Sequence, residues 1–441
     1  MKRIMVLLFC LALLIACVPT PEEEVVVNRN DGVLEETIAK EPQAEYALPD
    51  GGATSETTSG ATLQKALGAP DTLNDTISGK VYGGTLTVRL DAAVHLPDVS
   101  AVPVFLVERY RPDAAEKRRL AEWLSGETVF YDADPIGRDR YLNAANECRR
   151  MLASLDESCR NHPDYEQSKA YWTGLLENAM RDYNDGADGV RHLWEGSWSD
   201  SDLILYTGTG ASVWLTTDDP DSAIIGCDAV YASIERAPSD MDEKQAEALA
   251  RSYLDAIGAA NCRIKELRPS DPLPAQGAYT VVIEPCYAGI PVCRWSPYFG
   301  SDTAAQQAKV TYTHTAIREA LHLEIRCGQV VLFDWTHPVR VVETANENVQ
   351  LLPFDDIVRI FRQQIFMNIY LDEGGEEALT VTDVYLSYRC IAKRDSDRYY
   401  LVPVWDFVGY LEQGAPYGKA VHELSFLTVN AIDGSIIACV S

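Results

Sequence analysis

The sequence predicts an α+β protein of antiparallel sheets with helices packed on one face. Three observations carry this. Leu321, Leu323, Ile325 and Cys327 alternate with His322, Glu324 and Arg326, the period of a half-buried strand. Ala246, Leu249, Ala250, Tyr253 and Ile257 recur at helical spacing instead. Helical runs also fall between groups of strands rather than after every strand, which argues against a parallel sheet.

Taken in order, the chain opens with Lys2 and Arg3, and an apolar run follows from Ile4 to Ala16, interrupted at Cys10. That run has the length of a signal-peptide core and is too short to span a bilayer, so residues 1–16 are expected to be a signal peptide. Residues 17–77 read as a flexible acidic tether. Pro19, Pro21 and Glu22 to Glu24 open it, and Asp50 to Gly60 is Gly-, Ser- and Thr-rich. About 60 such residues would reach roughly 45 Å r.m.s.. A short helix fits near Leu34 to Lys40.

A first α+β domain is expected over 78–236. Val81 to Leu96 and Val102 to Tyr110 read as strands, with turn signals at Gly83-Gly84 and Pro97-Asp98. Ala114 to Leu124 reads as a helix ended by Gly126, and Glu127 to Tyr131 as a strand. Arg138 to Leu155 and Asp164 to Tyr183 follow as helices, broken at Asn161-His-Pro163. Ser201 to Tyr206, Ser212 to Thr217 and Ile224 to Ile234 read as strands.

A second α+β region is expected over 237–441. Ser239 and Asp242 form a capping-box start for the helix that Gly258 stops. Tyr279 to Glu284 and Ile290 to Cys293 form a hairpin around Gly289. The alternating strand ending at Cys327 turns at Gly328 into Val330 to Trp335. Pro353 opens a helix whose face is Phe354, Ile357, Val358, Phe361 and Ile365. Leu379 to Ile391, Tyr399 to Val408 and Leu424 to Val440 complete the strands. The last of them folds at Asp433-Gly434, a two-residue hairpin signal.

Composition narrows the function classes. The 441 residues suffice for two or three domains, and 46% hydrophobic with 24% charged residues is ordinary for a globular chain. A formal charge of -28 repels nucleic acid and anionic head groups, so nucleic-acid binding is disfavoured. Apart from Cys10 and Cys17, the cysteines are widely spaced and include no CxxC pair. Most are expected to be buried small hydrophobes. Cys286 and Cys293 either bridge the hairpin around Gly289 or remain free thiols.

Two resemblances follow from these residues. Leu14-Ile15-Ala16-Cys17 resembles the lipobox of bacterial lipoproteins. That implies a lipid on Cys17, cleavage before it, and a membrane-anchored protein on the extracytoplasmic face. Helix, then strand, then Gly289-Ile-Pro-Val292 resembles the PepSY module of secreted bacterial proteins. Leu351-Leu-Pro-Phe-Asp-Asp-Ile357, Leu401-Val-Pro-Val-Trp-Asp406 and Val429-Asn-Ala-Ile-Asp-Gly434 look like uncharacterised Gram-positive lipoproteins and the YycH/YycI-type extracytoplasmic regulators. The resemblance implies tandem PepSY-like units in the C-terminal half, and it departs from the YycH/YycI type in carrying a lipid anchor.

Candidate sites are sparse. GxSxG, HExxH and GxxxxGK[ST] do not occur. His314, His322, Glu324 and His337 are the metal candidates: His322 and Glu324 share one strand face, and His337 could return on the partner strand. This set reads either as zinc ligands or as a solvated polar sheet face. Asp182, Asn184 and Asp188 have the opening spacing of a calcium loop. Ala187 and Leu193 then occupy the positions where that loop needs Gly and Glu. Trp194, Trp198 and Trp214 read either as a saccharide-stacking group or as core packing.

The preferred reading is a non-enzymatic binding or regulatory lipoprotein of the cell envelope, with no cofactor. Its expected partners are the membrane, through Cys17, and another envelope protein. The alternatives are a saccharide- or peptide-binding lipoprotein and an extracellular hydrolase.

Overall fold

The computed structural model describes residues 33–43, 59–132, 138–155, 165–185, 192–209, 211–217, 223–228, 241–259, 261–269, 278–293, 296–297, 314–317, 319–326, 328–411 and 424–439. Cys17 and the expected signal peptide lie outside these residues.

The strands form two nine-stranded sheets. The first contains β1 (Thr72–His95), β2 (Val104–Arg109), β10 (Ser296–Pro297), β11 (His314–Ile317), β14 (Val339–Asn346), β15 (Tyr370–Ala392), β16 (Tyr399–Leu411), β17 (Leu424–Asn430) and β18 (Ile436–Cys439). The second contains β3 (Phe130–Tyr131), β4 (Asp202–Thr207), β5 (Ser212–Thr216), β6 (Ile224–Asp228), β7 (Cys262–Pro269), β8 (Tyr279–Tyr287), β9 (Ile290–Pro291), β12 (Ala320–Arg326) and β13 (Gln329–Thr336). Among the described residues seven helices accompany them: α1 (Val33–Ile38), α2 (Ser59–Leu67), α3 (Ala114–Ser125), α4 (Arg138–Ser154), α5 (Tyr165–Asp185), α6 (Glu243–Ile257) and α7 (Phe354–Asn368).

The α+β class is as the sequence predicts, and most pairings are antiparallel. The exceptions are β1 with β15, β11 with β18, and β10 with β17, which run parallel.

The strands do not divide at residue 237. β6 pairs with β13, so both expected domains contribute to the second sheet. β1 and β2 pair with β15, β14 and β16, so both contribute to the first. Most of the chain between β2 and β14 builds the second sheet, while β10 and β11 return to the first. Hydrogen-bonded ladders join residues of any separation, and the local pattern of a strand does not name its partner.

The expected tether is also folded in two places. Leu34 and Ile38 of α1, and Leu63 and Leu67 of α2, are buried in the first sheet's core. Asn346 Nδ2 donates to the carbonyls of Ile38 at 2.9 Å and Lys40 at 3.0 Å. The Gln43 amide donates to Asn348 O at 3.0 Å. Four apolar side chains at helical spacing supply the burial that the surrounding polar stretches lack. The first strand also begins at Thr72, ahead of the expected boundary at 78.

Local signals set the helix ends. Asp113 caps α3 by accepting from the Glu116 amide, and Gly126 ends it at φ 69°. Asp242 caps α6 in a reciprocal box with Gln245, both bonds 2.9 Å long, and Gly258 ends it at φ 78°. Asp242→Ala is expected to cost about 1 kcal/mol of unfolding free energy in a denaturant titration.

α7 covers one face of the first sheet. Phe354 packs edge-on against Trp405, and Phe361 stacks on Phe407 at 4.0 Å. β15, β16, β17, β18 and β11 close into a ring of paired strands. On the side of β16 away from α7, alternation turns Asp406 into this ring. Asp406 and Arg389 are both 0% exposed. The Asp406 carboxylate accepts from Ser387 Oγ at 2.6 Å, Thr428 Oγ1 at 2.6 Å, Ser425 Oγ at 3.3 Å and Arg389 Nη2 at 3.3 Å.

Candidate outer face of the second sheet

α3 and α6 pack on one face of the second sheet, over the buried Leu205, Val213, Ile225, Leu323 and Phe333. The other face follows from the register, since directly opposed residues in an antiparallel ladder point the same way. One row crosses this outer face as Ile204, Trp214, Gly226, Asp334, His322 and Val282. The adjacent row runs Tyr206, Ser212, Asp228, Leu332, Glu324 and Thr280.

Gly226 is the keystone of the first row. A Cβ there would lie 2.6 Å from Phe333 O, 2.9 Å from Asp334 Oδ1 and 3.1 Å from Trp214 Cε3. The bare backbone therefore lets the indole and the carboxylate close in from opposite sides. Ile204, 51% exposed, extends the apolar side of the row beyond Trp214. Burial raises the Asp334 carboxyl above its ordinary value. Asp228 and Glu324 add to the shift, and His322 opposes it.

The residues expected to bind metal are only partly brought together. His322 Nε2 lies 3.7 Å from Glu324 Oε1, and Arg326 Nη2 takes the other carboxylate oxygen at 2.9 Å. His337 sits past the end of β13 in a left-handed conformation, φ 46°, with its amide bonded to Ala223 O. His314 belongs to β11 in the first sheet. Among the described residues, no three His, Cys, Asp or Glu side chains gather around one ion position. The strand pattern gave His322 and Glu324 a shared face, but His337 lies at the passage out of the sheet and not over it.

The tryptophans separate likewise. Trp194 and Trp198 meet edge-on at 4.7 Å, Trp198 packs against Phe130, and both lie against the core beneath the helices. Trp214 stands on the outer face, so the three do not form one stacking group. Asp182 and Asn184 lie within α5, and residue 188 is outside the described residues. No disulfide joins Cys286 to Cys293, and Cys293 packs against Val408.

Asp334, Asp228 and Gly226 were not singled out from sequence. The signal for Asp334 is its place between Phe333 and Trp335, whose inward burial forces it outward.

No family model and no curated protein matches the chain. A crystal structure of an uncharacterized protein from Eubacterium rectale ATCC 33656 is similar at a TM-score of 0.38 with 13% identity, over 85% of this chain and 98% of that one. A likeness of that degree carries nothing about function. No helix among the described residues is long and apolar enough to cross a membrane.

Proposed function

We propose that the protein is a non-enzymatic binding protein of the extracytoplasmic cell envelope, held to the membrane by a lipid on Cys17, and that it receives a saccharide on the outer face of the second sheet. The observation that carries the ligand class is Trp214 lying across Gly226 beside Asp334. A flat apolar ring next to a hydrogen-bonding carboxylate matches a sugar, with its apolar ring face and its hydroxyl rim. The apolar run before Cys17 and the lipobox resemblance support the anchor. Leu34, buried in the first sheet's core, stands 17 residues after Cys17, so the chain between them spans at most roughly 60 Å.

The test is calorimetric titration of the protein with soluble fragments of envelope polysaccharides. Binding is expected, and Trp214→Ala is expected to weaken it about tenfold, the worth of one ring contact. Trp194 packs against the core on the opposite face, so Trp194→Ala is expected to lower the melting temperature and leave affinity unchanged. Equal affinity for the Trp214→Ala and parent proteins would remove the outer face from the site. Chain cleavage of the saccharide during the titration would favour a hydrolase instead.

A further inference from the structure

The chain passes between the two sheets four times: after β2, after β9, before β12 and after β13. Three of them meet at Glu319, which is 1% exposed and immediately precedes β12: its own passage, the one after β13, and, through Trp335, the one after β2. Tyr287, at the end of β8, donates its hydroxyl to Glu319 Oε2 at 2.8 Å. Trp335, at the end of β13, donates Nε1 to Oε1 at 3.0 Å. The Val339 amide, at the start of β14, donates to the same carboxyl. Tyr110, directly after β2, stacks on Trp335 at 5.5 Å, and its amide donates to Pro338 O at 2.8 Å.

We propose that Glu319 is a proton-controlled joint between the two sheets: its neutral carboxyl holds these three passages and the end of β8 together, and its ionised form lets the joint open to water. The reason is the balance between donors and solvent. Three neutral donors aim at this carboxyl, which is what an anion needs, yet burial strips it of water. Burial wins. It raises the carboxyl from the ordinary 4.5 to about 7 against the pull of Tyr287, Trp335 and Val339.

The other titratable groups around it do not reverse this. Cys262 of β7 faces both Glu319 and Tyr287, and Cys390 of β15 faces Tyr287. Burial also raises the Cys262 and Tyr287 groups, which keeps them neutral near pH 7. Glu116, Arg119 and Arg340 surround Tyr110 beyond the Trp335 ring, and His337 lies on the passage after β13.

The sign follows from linkage. The closed joint binds the proton more tightly than an open, hydrated one. Opening is therefore favoured as pH rises from about 4.5 to about 7, about tenfold per pH unit and roughly 300-fold in all.

The test is hydrogen exchange of the full chain at about pH 5.5 and about pH 8, with labelling times scaled to equalise chemical exchange. Peptides covering 286–293 and 335–342 are expected to exchange more than tenfold faster at the higher pH in the parent protein. Glu319→Gln keeps an acceptor for Trp335 and Val339 and cannot ionise, so it is expected to show no such rise. Tyr287→Phe removes one donor to the anion and is expected to move the transition to higher pH. An equal pH response in the parent and Glu319→Gln proteins would overturn the joint. Should Glu319→Gln fail to fold, an unmoved transition in Tyr287→Phe overturns it equally.

Discussion

Asp406→Asn is expected to lower the unfolding free energy by about 3–5 kcal/mol, the cost of breaking one side of a buried ion pair. Asp406 and Arg389 are fully enclosed within the strand ring, and three hydroxyls converge on the carboxylate. An asparagine leaves the Arg389 guanidinium charged and buried without its counter-ion. It also turns one acceptor edge into a donor, so Ser387 and Thr428 can no longer both donate to the same side chain. Replacing both charges, with Asp406→Leu and Arg389→Met together, is expected to recover most of the loss, because the desolvation penalty disappears with the attraction. Urea titration of the three proteins reads both effects. A single variant within about 1 kcal/mol of the parent would mean that water reaches the pair.

Neither charge announces this role in the sequence. Asp406 follows Trp405 in a strand, and alternation puts one of the two on each face. What alternation does not show is that both faces are covered. α7 takes the Trp405 side, and the ring closure through β11 and β18 takes the other. Among the described residues, β11 meets β15 through Ala316 and Ile317, a contact too short to leave a pattern. Signals confined to a few neighbouring residues were legible: the glycine stops at Gly126 and Gly258 and the turns at Gly289 and Gly328. Each is a backbone requirement that only a few residue types meet. The capping box lies one turn later than the Ser239 and Asp242 pair, between Asp242 and Gln245, and the turn at Gly434 is a four-residue loop closed by Asn430 and Ser435, not a two-residue one.

The outer face of the second sheet shows where local reading ends. A plain hairpin turning at Gly328 pairs Arg326 with Gln329 and would set Phe333 opposite His322. The bulge between Glu324 and Ile325 shifts the ladder by one residue and sets Asp334 there instead. The shift keeps Phe333 and Leu323 together in the core. It is therefore a packing decision, made by side chains on the far face. Trp214 was singled out in the sequence, but only as stacking group or core packing together with Trp194 and Trp198, and its outward direction was not legible. Its partner Gly226 was not legible either, because that pairing depends on the β5–β6 register.

The stability of the whole protein is expected to fall by about 3 kcal/mol between about pH 4.5 and about pH 7 through Glu319 alone. The folded carboxyl titrates near 7 and the unfolded one near 4.5, so between these values the folded state holds the extra proton. The contribution is fully present below the unfolded value, declines by about 1.4 kcal/mol per pH unit, and is gone above the folded one. Glu319→Gln carries an uncharged group of the same shape, whose amide can donate to the Tyr287 hydroxyl while its carbonyl accepts from Trp335. It is expected to match the parent near pH 5 and to exceed it by about 3 kcal/mol near pH 8. Denaturant titrations of both proteins at the two pH values isolate the effect, because every other titrating group is common to both. A constant difference between them at all pH values would mean that the Glu319 carboxyl is already ionised, and hydrated, in the folded protein near pH 5.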